Sequence, residues 1–120
     1  MQPLWQRAAR FAMETDMLAT IRHPATQGAS APPLVIAHGL YGTGRNWGVI
    51  ARRLADRRDV VTVDMRNHGE SPRFATQSYP EMAADLAEVI ASLGAEADLL
   101  GHTMGGKAAM QLALTGTAPI

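Results

Sequence analysis

One threonine lies in a glycine-rich stretch whose spacing is typical of a strand-to-helix turn that exposes a nucleophile. The stretch is GHTMGG, residues 101–106, and its central residue is Thr103. In the G-x-S-x-G turn, glycines two positions before and after the nucleophile let the strand and helix backbones pass closely, while the nucleophile takes a strained conformation. Gly101 and Gly105 occupy those positions. The pattern therefore predicts a hydroxyl oxygen lifted into a site.

A second glycine-rich stretch, GLYGTGRN, could supply the other part of an acyl-transfer site. Such a site needs two backbone N–H donors aimed at the developing oxyanion. One comes from the residue after the nucleophile and one from the loop after an earlier strand. Met104 and Leu40 hold those places. His38 and Gly39 would shape the turn, with Gly39 allowing a close backbone approach.

The same stretch allows a phosphate-binding interpretation. It contains the G-x-x-x-x-G of a P-loop, but Arg45 and Asn46 stand where lysine and serine or threonine should hold phosphate and magnesium. The missing pair carries the chemistry of that motif, so this alternative is the weakest of the three.

A dinucleotide-binding module is the remaining alternative from the residues alone. Strand, glycine loop, helix and second strand follow one another, and Asp64 lies near the distance at which an acid would hold a ribose hydroxyl. However, a G-x-G-x-x-G beginning at Gly42 places Trp47 where close helix packing needs a small residue.

The elements that must position these residues alternate between strand and helix. Apolar, β-branched runs predict strands, and helical spacing with capping signals predicts helices. The predicted strands are 17–22, 34–38, 59–64 and 97–101; the predicted helices are 47–57 after Asn46, one beginning at the Ser78/Glu81 capping box and ending at Gly94, and 105–114. This order predicts an α/β fold with a parallel sheet covered on both faces, and a site at the carboxyl ends of the strands.

Composition limits the partners. The 120 residues include eleven basic and eleven acidic side chains, so the formal net charge is 0 and nothing recruits nucleic acid or an anionic membrane. No apolar run approaches the roughly 18 residues that span a bilayer. The chain has no cysteine, which fits a cytoplasmic location and excludes thiolate metal sites. Residues 1–16 lack the apolar segment of a signal peptide and are expected to be a poorly ordered N-terminal extension.

With these residues in hand, the chain resembles the α/β-hydrolase family, and within it small bacterial esterases and their mitochondrial relatives of the ABHD11 type. The resemblance rests on four motifs, HGLYGTGRNWG (38–48), VDMRNHGESP (63–72), SYPEMAADL (78–86) and GHTMGGKAAM (101–110). It implies hydrolysis of small-molecule carboxylic esters or thioesters through an acyl-enzyme, with no metal or organic cofactor. Within the last motif, His102 and Gly106 are expected to support the turn.

Two departures from the family pattern fall on the catalytic machinery. Thr103 replaces the usual serine, and its β-methyl is unfavourable at the positive φ that the turn requires. In addition, the family places its acid and histidine after the nucleophile, and residues 104–120 contain neither type. The resemblance thus describes the N-terminal half of a hydrolase domain, residues 17–120. A catalytically inactive fragment that at most binds a ligand or partner is the main alternative.

Several polar residues have a structural interpretation beside the functional one. Among the four histidines, His68 is the best candidate to replace the catalytic histidine of the family, although none is well placed. A local hydrogen bond is the more common role of a loop histidine. Asp64 would cap or pair at the end of its strand, with Arg66 as a candidate partner. Ser71 would form a turn, and Lys107 would be solvated or make a structural contact.

The family strand order implies an exposed edge. It puts 34–38 between 59–64 and 97–101, which leaves 97–101 without a neighbour on one side. An apolar open edge is a template for pairing with another chain. Self-association through this edge is therefore expected.

Overall fold

The computed structural model describes residues 17–120. The prediction of a poorly ordered extension over 1–16 lies outside the described residues. All four predicted strands and all three predicted helices are present, with shifted ends. The strands are β1 Thr20–His23, β2 Leu34–Ala37, β3 Val60–Val63 and β4 Asp98–Gly101; the α-helices are α1 Gly48–Leu54, α2 Tyr79–Ser92 and α3 Met104–Thr115, and a 3-10 helix spans Gly44–Trp47.

The four strands form one sheet in the order β1-β3-β2-β4. β2 is parallel to both β3 and β4, as the alternation of strands and helices predicts. β1 is antiparallel to β3, so the expectation of a wholly parallel sheet is wrong for this strand. The crossover rule does not apply to β1, because no helix joins it to the sheet. β4 lies at one edge of the sheet in the described part of the chain, where it was expected.

Alternate residues of the central strands enter two separate cores, one on each face of the sheet. Val35 and Ala37 pack with helices α2 and α3, whereas Leu34 and Ile36 pack with Ala51 of α1. β2 and β3 are buried along their whole length. Continuous burial is the reason that their sequences are apolar throughout instead of alternating with polar residues.

Helix α2 begins as its sequence predicts. Ser78 and Glu81 form a reciprocal capping box, and the apolar side of the helix, including Leu86 and Ile90, is buried. Burial of each such side chain contributes about 1.5–3 kcal/mol. The chain leaves the helix at Gly94, whose φ is +72°.

The predicted helix over 47–57 is shorter and begins differently. The chain enters it through the 3-10 helix, which Thr43 caps, and the side chain of Asn46 accepts a hydrogen bond from the Thr43 N–H at 2.9 Å. Asn46 is therefore the third residue of the 3-10 helix, where it closes the capping box, and not the cap itself. The following α-helix ends at Leu54, three residues earlier than expected.

Candidate functional site

The register of the sheet brings three loops together at one edge. Ala37 is opposite Val63 on one side and opposite Gly101 on the other, so β2, β3 and β4 end level with one another. The first loop (residues 38–43), the second loop (residues 64–78) and the β4–α3 corner (residues 101–104) follow these ends. This is the edge at which parallel α/β sheets place their ligands.

Thr103 stands at the β4–α3 corner in a strained conformation. Its φ is 49° and its ψ is −105°, and it is the residue immediately before α3. A β-branched residue at positive φ is an outlier, and such strain costs about 1–3 kcal/mol. The corner is held on both sides by backbone hydrogen bonds, because His102 N–H donates to Ala37 O at 3.0 Å and Lys107 N–H donates to Thr103 O at 3.0 Å. The side chain of Thr103 is exposed.

Two glycines let the corner form because strand, helix and neighbouring strand touch there. A Cβ on Gly105 would lie 2.6 Å from the carbonyl carbon of Ala37 and 2.6 Å from the oxygen of His38. A Cβ on Gly101 would lie 2.6 Å from the Cα of Gly106. Real Cβ atoms do not approach backbone atoms so closely, so side chains are excluded by space at both positions.

The first loop passes directly beside the threonine hydroxyl. A Cβ on Gly39 would clash with Thr103 Oγ1 and would lie 3.1 Å from His102 Nδ1. Gly39 therefore permits the close approach that its position in the sequence predicts. Among the hydrogen bonds of residues 17–120, none uses the N–H of Leu40 or the N–H of Met104 as donor.

Two open cavities flank Thr103, and both are lined by Leu40 and Thr103. The first has a volume of about 350 Å³, and Trp47 and Ile50 form its apolar wall. The second has a volume of about 340 Å³ and extends toward the start of α2; its other lining residues are Gln77, Tyr79, Met82, Met104 and Lys107. Trp47 and Met82 thus face cavities as well as packing in the core, a double role that spacing alone does not indicate. The Lys107 ammonium lies 5.9 Å from the centre of the Tyr79 ring.

His38 is a buried residue with an ordered set of partners. Its Nδ1 lies 2.7 Å from Gly39 O, and its Nε2 accepts a hydrogen bond from the Met65 N–H at 2.9 Å. Burial lowers the pKa of the His38 imidazole below its ordinary value of 6.5, and neighbouring His68 lowers it further. His38 is therefore a neutral group that supports the first loop.

Asp64 connects the second loop to the start of the 3-10 helix, directly after the first loop. One carboxylate oxygen accepts from the Gly44 N–H at 2.7 Å and the other from the Glu70 N–H at 2.9 Å. The Ser71 hydroxyl donates to the Asp64 carbonyl and accepts from the Ala19 N–H at 2.8 Å. These contacts fit the structural interpretations of Asp64 and Ser71.

The expectation that Arg66 pairs with Asp64 is wrong. Arg66 makes two hydrogen bonds to Asp85, at 2.7 and 3.1 Å, and one to Glu81 at 3.0 Å. Its guanidinium also lies 4.3 Å from the centre of the Phe74 ring. The hydrogen bond to Asp85 raises the pKa of Arg66. The partners are 15 and 19 residues away on α2, so local sequence gave no signal for them.

His68 does not contact Thr103 and is engaged elsewhere. Its Nδ1 lies 2.8 Å from Arg66 O, and its Nε2 accepts from the Tyr41 N–H at 3.1 Å. The local hydrogen-bonding role of His68 is therefore the one observed. His102 does lie near Thr103, where its ring stacks edge-on with Trp47 at 5.7 Å between centroids.

Across residues 17–120, no three His, Asp or Glu side chains are grouped so as to hold a metal ion. In the same part of the chain, no helix combines the length and the apolar character needed to cross a membrane.

Comparison with known proteins agrees with this fold. The family model for the alpha/beta hydrolase fold matches residues 32–120. The chain belongs to the α/β-hydrolase fold family. The resemblance to small esterases of the ABHD11 type is also confirmed by the relatives of this α/β-hydrolase chain.

Three relatives illustrate the similarity of this α/β-hydrolase chain. Esterase YbfF of Escherichia coli is 48% identical over 81 residues, which cover 67% of the chain and 32% of the relative. The sn-1-specific diacylglycerol lipase ABHD11 of Xenopus tropicalis is 46% identical over 89 residues, covering 72% and 28%. A solved marine microorganism esterase superposes with a TM-score of 0.77 at 41% identity, covering 86% and 38%. The chain thus spans about a third of the length of these relatives.

Proposed function

We propose that residues 17–120 are the N-terminal part of a domain that hydrolyses small-molecule carboxylic esters or thioesters through an acyl-enzyme. The observation that carries the proposal is the hydroxyl of Thr103, presented at positive φ directly beside Gly39 of the first loop. Relatives that are named as esterases and as a lipase support the same reaction class. The site would use no metal and no organic cofactor.

In this proposal Thr103 Oγ1 attacks the acyl carbonyl, and the N–H groups of Leu40 and Met104 donate hydrogen bonds to the developing oxyanion. Donors fixed before the reaction stabilise that charge without reorganisation. Collapse of the intermediate expels the alcohol or thiol, and water then releases the acid from the threonine ester. Gly101, Gly105 and Gly106 would support the corner through their close packing.

In the described region, no base is hydrogen-bonded to the Thr103 hydroxyl to accept its proton. Within residues 17–120, the imidazoles of His38 and His68 are each committed to backbone partners. The methyl group of Thr103 would also crowd the space beside the oxyanion. We therefore propose that turnover by the described region alone is slow. Its rate should exceed that of the uncatalysed reaction in water by no more than about 10³- to 10⁴-fold, the acceleration that an oxyanion hole and binding supply without a triad.

A non-catalytic role is the second candidate, and one observation favours it. Threonine at φ 49° combines a strained backbone with a branched nucleophile, which is a poor arrangement for attack. The dinucleotide-binding alternative has no such support, since both oxygens of Asp64 accept backbone hydrogen bonds. A cytoplasmic location and self-association through β4 stay predictions.

Hydrolysis of short p-nitrophenyl esters by three forms of the chain tests the proposal. Removing the methyl in Thr103→Ser should raise the rate about tenfold, which corresponds to about 1.4 kcal/mol of barrier. Thr103→Ala removes the nucleophile and should lower the rate below that of the unchanged chain. Thr117→Ala removes an exposed threonine hydroxyl elsewhere and is the matched control. Equal rates in Thr103→Ala, Thr103→Ser and the unchanged chain would exclude Thr103 as the nucleophile.

A further inference from the structure

Two buried histidines lie side by side beneath the first loop. The ring centroids of His38 and His68 are 5.1 Å apart, and the rings are inclined at 60°. Only 1% of His38 and 8% of His68 is exposed. The two residues follow different strands, so this pair joins two loops that are distant in sequence.

Each imidazole uses both of its nitrogens on the backbone. In His38 and in His68 alike, Nε2 accepts a peptide N–H, from Met65 at 2.9 Å and from Tyr41 at 3.1 Å respectively. A ring nitrogen that accepts a hydrogen bond carries no proton. The partners therefore assign the proton to Nδ1 in both rings, where a carbonyl oxygen lies within 2.7–2.8 Å.

The connection between the loops is reciprocal. His38 belongs to the first loop and holds the backbone of Met65 in the second, while His68 belongs to the second loop and holds the backbone of Tyr41 in the first. Neither loop can move by itself without breaking these two hydrogen bonds, one buried and one partly buried. A buried donor left unsatisfied costs about 1–3 kcal/mol.

The two contacts fall on the peptide planes at either side of Leu40. In the plane before Leu40, the oxygen of Gly39 accepts from His38 Nδ1–H and from the Gly42 N–H at 2.9 Å. Because a peptide is planar, fixing that oxygen also fixes the direction of the Leu40 N–H at the opposite end. In the peptide plane after Leu40, the N–H belongs to Tyr41 and donates to His68 Nε2.

Side-chain packing does not hold this turn. Tyr41 has a φ of 65°, an unfavourable conformation for a residue with a side chain, and its side chain is 90% exposed. The hydrogen bond from its N–H to His68 thus ties this strained residue to the interior.

We propose that His68, together with His38, is a positioning residue that holds the Leu40 N–H in its direction at the Thr103 site. This inference rests on the proposed function for its catalytic meaning. The clamp itself, the pair of hydrogen bonds that His38 and His68 accept from the N–H groups of Met65 and Tyr41, is a property of the fold. The charged groups close to the pair are Asp64, which binds backbone N–H groups, and Arg66, which is directed to Asp85 and Glu81.

The first test needs no substitution. Long-range ¹⁵N–¹H spectra of the chain at pH 8 should show two imidazoles with the proton on Nδ1 and a bare Nε2, and their assignment to His38 and His68 tests the clamp directly. A proton on Nε2 of His68 would overturn the proposal.

Two substitutions then separate the hydrogen bond from the bulk of the ring. His68→Leu removes the acceptor, whereas the side-chain oxygen of His68→Gln can still accept the Tyr41 N–H. Amide exchange at Tyr41 should become about tenfold faster in His68→Leu and should largely recover in His68→Gln. His23→Leu, on the distant strand β1, is the control. Unchanged exchange in a folded His68→Leu would overturn the clamp.

Ester hydrolysis in a Thr103→Ser background gives the catalytic readout. If the clamp aims the Leu40 N–H, His68→Leu should lower kcat several-fold with little change in KM, and His68→Gln should restore it. Faster Tyr41 exchange with kcat unchanged would overturn the positioning role. If no form hydrolyses the ester while exchange responds as expected, the proposed function fails and the clamp stands.

Discussion

The first loop and the β4–α3 corner meet at the Thr103 side chain, but they are held there by different forces. Buried side chains fix the first loop: His38 and His68 bond its backbone at 2.7 and 3.1 Å, and Asp64 accepts from the N–H of Gly44, the residue that follows it, at 2.7 Å. Close contact between backbones fixes the corner, where Gly105 leaves no room for a single added carbon. The first loop is therefore a polar network, and the corner is a steric fit.

This difference determines which changes each region can accept. A polar network can accept a substitution that preserves the acceptor atom, because the hydrogen bond and not the shape is what holds it. A steric fit cannot accept even a methyl group, because interiors are packed too densely to make room. Substitutions in the two regions should therefore differ in size and in whether a conservative variant restores stability.

The largest effect is expected at the corner from Gly105→Ala. Alanine favours a helix over glycine by about 1 kcal/mol, but here its Cβ meets backbone atoms of Ala37 and His38. We expect the free energy of unfolding to fall by about 3 kcal/mol, the upper end of overpacking. Urea denaturation measures it. The control is Gly48→Ala, whose Cβ meets only the end of the flexible Arg52 side chain at 3.2 Å and should not destabilise. Equal changes in the free energy of unfolding for the two variants would contradict the steric explanation.

A smaller loss is expected in the polar network from Asp64→Ala. It leaves the N–H groups of Gly44 and Glu70 without their acceptor, which should lower the free energy of unfolding by about 2 kcal/mol. Asp64→Asn keeps one acceptor oxygen and should recover about half. Removing an exposed carboxylate in Asp98→Ala should cost less than about 1 kcal/mol. A loss in Asp64→Ala no larger than in Asp98→Ala would contradict the network.

The same difference explains what the sequence predicts and what it does not. The corner glycines and the Ser78/Glu81 capping box act within a few residues, so their spacing is sufficient to predict them. The bond from Met65 to His38 joins residues 27 positions apart, and so does the bond from Tyr41 to His68. Such bonds depend on where folded loops lie, which no local pattern records. The antiparallel direction of β1 and the partners of Arg66 were missed for the same reason.

The strain at the corner predicts a substitution that stabilises the protein. Thr103→Gly removes the β-branched side chain at φ 49°, which should gain more than the extra chain freedom of glycine costs in the unfolded state. We expect the free energy of unfolding to rise by about 0.5–1 kcal/mol. Thr117→Gly, at a residue whose φ is not positive, should lower it by a similar amount. If Thr103→Gly destabilises as Thr117→Gly does, the corner is not strained.

The smallest effect expected is a change in the pH dependence of stability, and it should belong to the polar network alone. Burial puts the pKa of folded His38 below 6.5, and the hydrogen bond with the Gly39 carbonyl and the carboxylate of Asp64 oppose this only in part. Above pH 6.5 both states are neutral and stability is unaffected. As the pH falls through 6.5, the unfolded chain binds a proton that folded His38 does not, so stability decreases until the folded pKa is reached.

Urea denaturation between pH 8 and pH 5 can isolate this contribution. His38→Asn cannot titrate at that position, so its stability should fall less steeply with decreasing pH than that of the unchanged chain. Gly105→Ala should keep the full slope despite its larger loss of stability, because it removes no ionisable group. Equal slopes in all three proteins would mean that His38 takes up its proton as readily when folded as when unfolded. The Met65 N–H could not then be bonded to Nε2, and the first loop would lose one of the hydrogen bonds that distinguish it from the corner.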